Sequence, residues 1–521
     1  MRPLLWHPSV ELSPAEAQIV RRVRRAKLFV FLREQRHLLL DAGFQEELAG
    51  MYAPAPQGHP PVAPARLALA TLLQAYTGAS DAEAVEACVM DRRWQLVLDC
   101  LECADAPFST GTLVAFRERL LAADLDRRLI ERTVEVAAQS KGFGHRRLRL
   151  ALDSSPLWGA GRVEDTLNLL GHALRKAVGM IARHQGREVA QVAAAAGAPV
   201  LEATSLKAAL DADWDDPASL PRALGVVLEA LAAVEQYVAQ PPPSSGQQAA
   251  VVAVAVATQV AAQDVVPDEA GQPQIRRGVA KDRRISVEDG QMRHGRKTAS
   301  QLVDGFKRHV GRDLDSGLVR AVGLTAANAP EASVTPALAA DLDRQPVHLA
   351  ELHIDRAYLA SHLVRERPGD LTIYCKAWPV RNGTYFAKTV FTLDWDTGLL
   401  HCPAGAAMPF TLGATVHFPA ALCGSCLLQD RCTSSTHGRS VRVHPDERLF
   451  AALRARQQTT AGRAALRARV GVVHALARIG QWQGDRARYL GLRKNLFDLR
   501  RMAVISNLHD LMRLPDSEQA A

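Results

Sequence analysis

The sequence predicts an α/β protein in which a few strands are set between long helical stretches. Three observations carry this. Leu148, Leu150 and Leu152 recur at period two and stop at Asp153-Ser154-Ser155-Pro156, turn chemistry at the end of a half-buried strand. Leu349, Leu352 and Ile354 lead in the same way to Asp355. Residues 11–140 and 447–521 carry helical start signals and helical spacing instead.

The bulk numbers bound the function. A chain of 521 residues, 48% of them hydrophobic, buries sizeable cores in about two to four domains, so disorder is not its default state. A net charge of +8 and a pI near 9.2 favour an anionic partner. Residues 249–262 form the longest apolar run, short of the roughly 20 needed to span a bilayer, so no membrane role is expected. Residues 1–8 lack the basic and apolar regions of a signal peptide, which predicts a cytoplasmic protein. Eight cysteines in such a compartment read as metal ligands or packing rather than as disulfides.

Taken in order, the first stretch is helical. Ser13-Pro14-Ala15-Glu16 and Ser80-Asp81-Ala82-Glu83 are capping signals, residues 63–76 are amphipathic, and Ser109 precedes a helix carrying Phe116 and Leu120 on one face. The Pro-rich residues 53–64 separate the first helices from the next. After the Asp153 strand, residues 164–183 and 219–239 are again helical, an insertion that ends before Pro241-Pro242-Pro243. Trp214 with Asp211, Asp213, Asp215 and Asp216 reads as a solvated turn.

Strands resume with Ile285 and Val287, followed by a basic hairpin at Arg293, Arg296 and Lys297 that leads to Lys307. Residues 318–325, 349–355 and 371–375 follow as strands, and residues 358–367 read as a helix stopped by Pro368. Two strand-terminal aspartates side by side would bind hard divalent cations, and two such ions about 3.5–4 Å apart suit phosphodiester cleavage. Basic residues on a neighbouring hairpin are what a phosphate backbone needs.

Cys402, Cys423, Cys426 and Cys432 have the count of a tetrahedral zinc site around one Cys-x-x-Cys core, and such a site would staple a loop-rich insert without a core of its own. Reduced, partly buried thiols are the alternative. Cys88, Cys100, Cys103 and Cys375 fall in helix or strand patterns and read as packing. Beyond Glu447 the chain is helical and rich in arginine, with Arg488, Arg493 and Lys494 among a one-sided run that reads as a DNA footprint.

These pieces together resemble a bacterial insertion-sequence transposase of the DDE type. The likeness rests on Leu152-Asp153-Ser154-Ser155-Pro156, Met292-Arg293-His294-Gly295-Arg296-Lys297, Thr325-Ala326-Ala327-Asn328 and Asp355-Arg356-Ala357-Tyr358. It continues through the cysteine insert, Tyr489-Leu490-Gly491-Leu492-Arg493-Lys494-Asn495 and Asn507-Leu508-His509. It implies an RNase H-like mixed sheet at 145–375 with a helical insertion at about 164–280. Around it stand a helical N-terminal domain at 1–140, a cysteine-containing insert at 376–446 and basic C-terminal helices at 447–521.

The resemblance also implies a function. Asp153 and Asp355 would hold two magnesium ions and cut and join strands of double-stranded DNA at transposon terminal repeats. The protein would act as a homodimer in a bacterial, nucleoid-associated setting. Family members carry a third acid on the late helix, where this chain has Val473, and no Asp or Glu stands between Glu447 and Asp485. Two readings follow: a transposase with impaired catalysis, or a transposase-derived DNA-binding protein without nuclease activity. Glu447, Asp485 and His474 are the substitutes that the sequence offers for the absent acid.

Overall fold

The period-two leucines form a strand with one buried face. In the computed structural model β1 spans Arg147–Trp158, and Leu148, Leu150 and Leu152 all lie in the interior. The structure describes residues 2–53, 60–141, 147–210, 212–213, 216, 219–240, 245–298 and 300–514. The Pro-rich residues 54–59, Asp211, Trp214, Asp215 and Pro241-Pro242-Pro243 lie outside the described residues.

Five further strands complete the sheet: β2 Arg293–Arg296, β3 Leu302–Asp313, β4 Val319–Ala326, β5 His348–His353 and β6 Thr372–Tyr374. The order is β4-β3-β1-β5-β6, with β2 extending the sheet beside the first residues of β3. β1, β3 and β4 are antiparallel, whereas β5 and β6 run parallel to β1. This is the mixed sheet that the RNase H resemblance implies. The basic hairpin forms as expected, with Arg296 opposite Leu302.

Gly305 allows two strands to approach. Its φ of 152° and an added Cβ only 2.3 Å from the Gly159 nitrogen exclude a side chain where β3 crosses the end of β1. Three local expectations fail. β1 does not stop at Asp153, because antiparallel pairing with β3 carries Ser154-Ser155-Pro156 on as strand to Trp158. Ile285 and Val287 are buried but form no strand, because the Arg284 guanidinium takes the Ser286 and Val287 carbonyls that a ladder would use. Residues 358–367 form a 3₁₀ turn at Arg356–Tyr358 and a single turn at His362–Arg365 instead of one helix.

The capping signals hold. Ser13 and Ser80 each accept from a backbone N–H of Glu16 and Glu83, and those glutamates accept in return from the serine N–H. The apolar run 249–262 lies within the helix Ser245–Asp264, packed against Thr166–Gln185 and Ser219–Val238 around Leu174, Val227, Val234 and Val260. No helix among the described residues is long and apolar enough to cross a membrane. The cysteine insert does have a core: Phe391, Leu400, Val416, Phe418, Val441 and Val443 are buried between two small antiparallel sheets. That corrects the expectation of a segment needing metal for want of apolar contacts.

The C-terminal helix Leu492–Leu511 is buried along most of its length. It packs on β4, on the helix Arg128–Lys141 and on the helix Pro64–Thr77, so the N-terminal helices and the sheet share one core. Part of the expected one-sided charge of this region is internal, although Arg463, Arg467, Arg486 and Arg488 are exposed. Arg500 pairs with Asp124 and Asp126, Arg501 with Asp498, Arg478 with Asp510, and Arg454 with Glu447. Buried arginines need such partners, because an unpaired charge there would be costly.

Asn507 fixes the helix to the sheet edge. Its carbonyl accepts from Val319 N–H at 2.7 Å, and its amide donates to Val319 O and to Thr133 Oγ1, both at 2.9 Å. Asn507→Ala should cost about 1–3 kcal/mol by chemical denaturation, since it leaves buried backbone groups of Val319 unsatisfied.

Candidate active site

Sheet register brings the two aspartates together. In the parallel pair β1 and β5, Ala151 lies opposite His353, and each strand continues two residues to an aspartate. Ile354 N–H still bonds Tyr374 O beyond the end of β5, which keeps the backbone extended up to Asp355. Asp355 then caps the 3₁₀ turn Arg356–Tyr358, accepting from Ala357 N–H at 2.9 Å. Both carboxylates are half-buried, neither sealed inside nor fully solvated.

The pair lies at the edge of a cleft of about 670 Å³ whose wall carries Asp355, Lys376, Arg463, Arg467, Arg469 and Val473. Arg469 sits at the start of the late helix Val470–Gln483 and donates to Asp153 Oδ2 at 2.6 Å. The pKa of Asp355 is raised, first by burial and then by the negative charges of Glu331 and Asp153. Ala357 N–H and Arg469 oppose that shift.

Beneath the acids runs a neutral hydrogen-bonded chain. His309 Nδ1 lies 2.7 Å from Tyr358 Oη, and its Nε2 lies 2.9 Å from Thr325 Oγ1. Burial pushes the His309 pKa down to about 3, so the ring is uncharged at neutral pH. Burial likewise pushes the Tyr358 hydroxyl well up, which keeps it protonated.

Glu331 is the residue that sequence reasoning missed. It opens the 3₁₀ turn Glu331–Val334 after β4, and Ser154 Oγ donates to its Oε1 at 2.9 Å. Its signal lies just past Thr325-Ala326-Ala327-Asn328, in a Pro-containing turn with no periodicity to mark it. Lys376 also lies outside the predicted DNA-contact set, whereas the cleft-facing Arg463, Arg467 and Arg469 belong to the arginine run read as a DNA footprint.

The substitutes proposed for a third acid lie elsewhere. Glu447 is only 1% exposed and held by Lys388 and Arg454. Asp485 accepts through its carbonyl from Trp158 N–H, at the far end of β1. His474 is exposed and does not line the cleft, whereas Val473 lines it at 44% exposure.

The predicted basic residues divide into two groups. Arg296, Lys297 and Lys307 line a narrow cleft with Ser154 and Glu331. Arg293 instead pairs with Asp282, Arg493 pairs with Asp126, and Arg488 donates to Ala79 O at the seam with the N-terminal helices. Lys494 is exposed beside that seam.

Cys402, Cys423, Cys426 and Cys432 all line one cavity of about 510 Å³, and Leu428 N–H donates to Cys426 Sγ at 3.4 Å. Four thiols around one cavity match zinc by donor type and number, and the acids match a hard cation in the same terms. Cys88, Cys100 and Cys375 are buried as expected, whereas Cys103 is exposed. Among the described residues, the trio with ligand atoms already within 4.8 Å of one another is Glu164, His172 and Glu288. There the imidazole bridges two carboxylates, at 2.8 Å and 2.7 Å, and ties the insertion to the chain entering β2.

Asp355→Asn keeps an acceptor for Ala357 N–H and removes a repelled charge. A carboxylate whose folded-state pKa is raised lowers stability wherever it is ionised, and that loss is relieved as pH falls through its folded pKa. The thermal midpoint of Asp355→Asn without divalent cations should therefore exceed that of the parent at neutral pH. The margin should shrink as pH falls toward the unfolded carboxylate value of about 4.

Two family models match. Residues 401–512 match one described as Transposase DDE domain, and residues 20–119 match one described as Transposase domain (DUF772). The first covers the four cysteines, Arg469 and Val473, and neither covers Asp153 or Asp355. No curated protein and no solved structure matches the chain.

Proposed function

We propose that this chain, an insertion-sequence transposase of the DDE type by its two transposase domains, cuts and joins DNA strands at the ends of its element. The observation that carries the reading is the β1–β5 register, which continues from Ala151 opposite His353 to aspartates at 153 and 355 beside a basic cleft. Asp153 and Asp355 would hold divalent magnesium. When bound, such ions activate an attacking water and stabilise a leaving oxygen.

The chain's own residues have distinct parts in this reading. Arg467, Arg463 and Lys376 meet phosphates of the double-stranded DNA at one wall of the cleft, and Arg296, Lys297 and Lys307 meet them from the hairpin. Arg469 neutralises Asp153 until a stronger cation competes for the carboxylate. The neutral Tyr358–His309–Thr325 chain supports the acids from below without adding positive charge. Recognition of terminal repeats by a pair of chains, in the bacterial cytoplasm, completes the proposal.

A second reading is favoured by Val473 and by the Arg469 pair. With an apolar side chain where relatives carry an acid, and a guanidinium on Asp153, the protein would bind its ends without cutting them. Nicking of duplexes bearing the element's own ends, in magnesium or manganese, separates the two. Under the first reading Asp153→Asn and Asp355→Asn abolish nicking. Where position 473 is the missing third ligand, Val473→Glu raises it by about tenfold or more, equivalent to about 1.4 kcal/mol of barrier. An inactive parent that Val473→Glu renders active supports the second reading, and equal nicking before and after that substitution removes the argument from Val473.

The cysteine cavity is proposed as a structural zinc site. Cys423→Ser with Cys426→Ser should abolish bound zinc by elemental analysis and lower the thermal midpoint, because metal affinity there is folding free energy.

A further inference from the structure

We propose that Glu331 supplies the third carboxylate of the acidic centre, from the flank opposite Val473. The inference rests on the reading of Asp153 and Asp355 given above. It starts from chain topology. β4 leaves the sheet beside β3, and the turn that follows returns Glu331 to the middle of β1, where Ser154 Oγ donates to its carboxylate. The side chain is thereby held to the residue next to Asp153.

A second attachment reaches Asp355. The 3₁₀ turn Glu331–Val334 packs against the 3₁₀ turn Arg356–Tyr358, whose N-cap is Asp355. Glu331 therefore borders both aspartates while belonging to neither strand. On its outer side Lys307 Nζ stands 3.9 Å away, and Arg296 and Lys297 line the same narrow cleft. A carboxylate so placed faces the acidic pair on one side and a phosphate-binding surface on the other.

The alternatives are engaged elsewhere. Glu447 is enclosed by Lys388 and Arg454, and Asp485 lies at the Trp158 end of β1. Magnesium seeks oxygen ligands, and a glutamate on a short turn has the reach to join Asp153 in β1 and Asp355 beyond β5 by rotation of its side chain. A ligand from this turn would shift the third corner of the centre from the late helix to the hairpin side. In that arrangement Val473 is tolerated because its position no longer carries a ligand.

The test is manganese binding to the full chain, followed by calorimetry and by the spin resonance of the bound ion. Glu331→Gln keeps an acceptor for Ser154, and its thermal midpoint without metal should match that of the parent. Its manganese affinity should fall by about tenfold or more, the scale on which even outer partners of a metal site act. Asp153→Asn and Asp355→Asn should weaken binding as well, and Glu331→Asp should retain part of it. If Glu331→Gln binds manganese like the parent while either aspartate substitution weakens binding, Glu331 is no ligand and the aspartate reading stands. If the aspartate substitutions leave binding unchanged, or the parent binds no manganese, that reading falls and the role of Glu331 falls with it.

Discussion

The structure depends on one buried helix. Leu492–Leu511 passes between the N-terminal helices and the sheet, and the Asn507 amide bonds both the β4 backbone and Thr133. A single core therefore holds Trp6 and Leu511, near opposite ends of the chain. The two segments that match transposase models meet across this helix, although the sheet strands lie between them in sequence. Apolar burial of this extent is non-directional, so the polar bonds of Asn507 and Arg501 set the position of the helix along its axis.

Charge is distributed by the same logic. The net +8 does not describe a uniformly basic surface, because Arg33, Arg36, Arg500 and Arg501 lie inside with acidic or carbonyl partners. What remains around the acidic centre is a cleft wall of Lys376, Arg463 and Arg467 and a hairpin tip of Arg296 and Lys297. Negative charge at the floor and positive charge at the rim are the distribution that the proposed crossing of a polyanion over a cation would need.

How much of this was legible in the sequence follows from the range of each signal. Strand β5 and the capping boxes at Ser13 and Ser80 are local patterns, and they formed where their residues predicted, whereas pairing with β3 carries β1 past Asp153 to Trp158. Asp153 was legible because it follows the period-two leucines 148, 150 and 152, and Asp355 because apolar Leu349, Leu352 and Ile354 lead to it. Arg500 and Asp124 form a contact of 376 positions' separation, which no local pattern encodes, so Arg500 reads as exposed when it is internal. Ile285 and Val287 looked like a strand because their apolar character was visible and the competing Arg284 hydrogen bonds were not. Glu331 escaped notice because turns with proline carry no repeat that marks a side chain as facing a site.

The insertion has a consequence for how this architecture can vary. Its entry at Glu164 and its exit at Ile285 are hydrogen-bonded to each other, and Thr166 bonds Asp264 across the same neck. Since departure and return are adjacent, the bundle hangs from the sheet as a pendant with an apolar interior of its own. A pendant attached in this way can be enlarged, trimmed or exchanged without altering the strand order of the sheet.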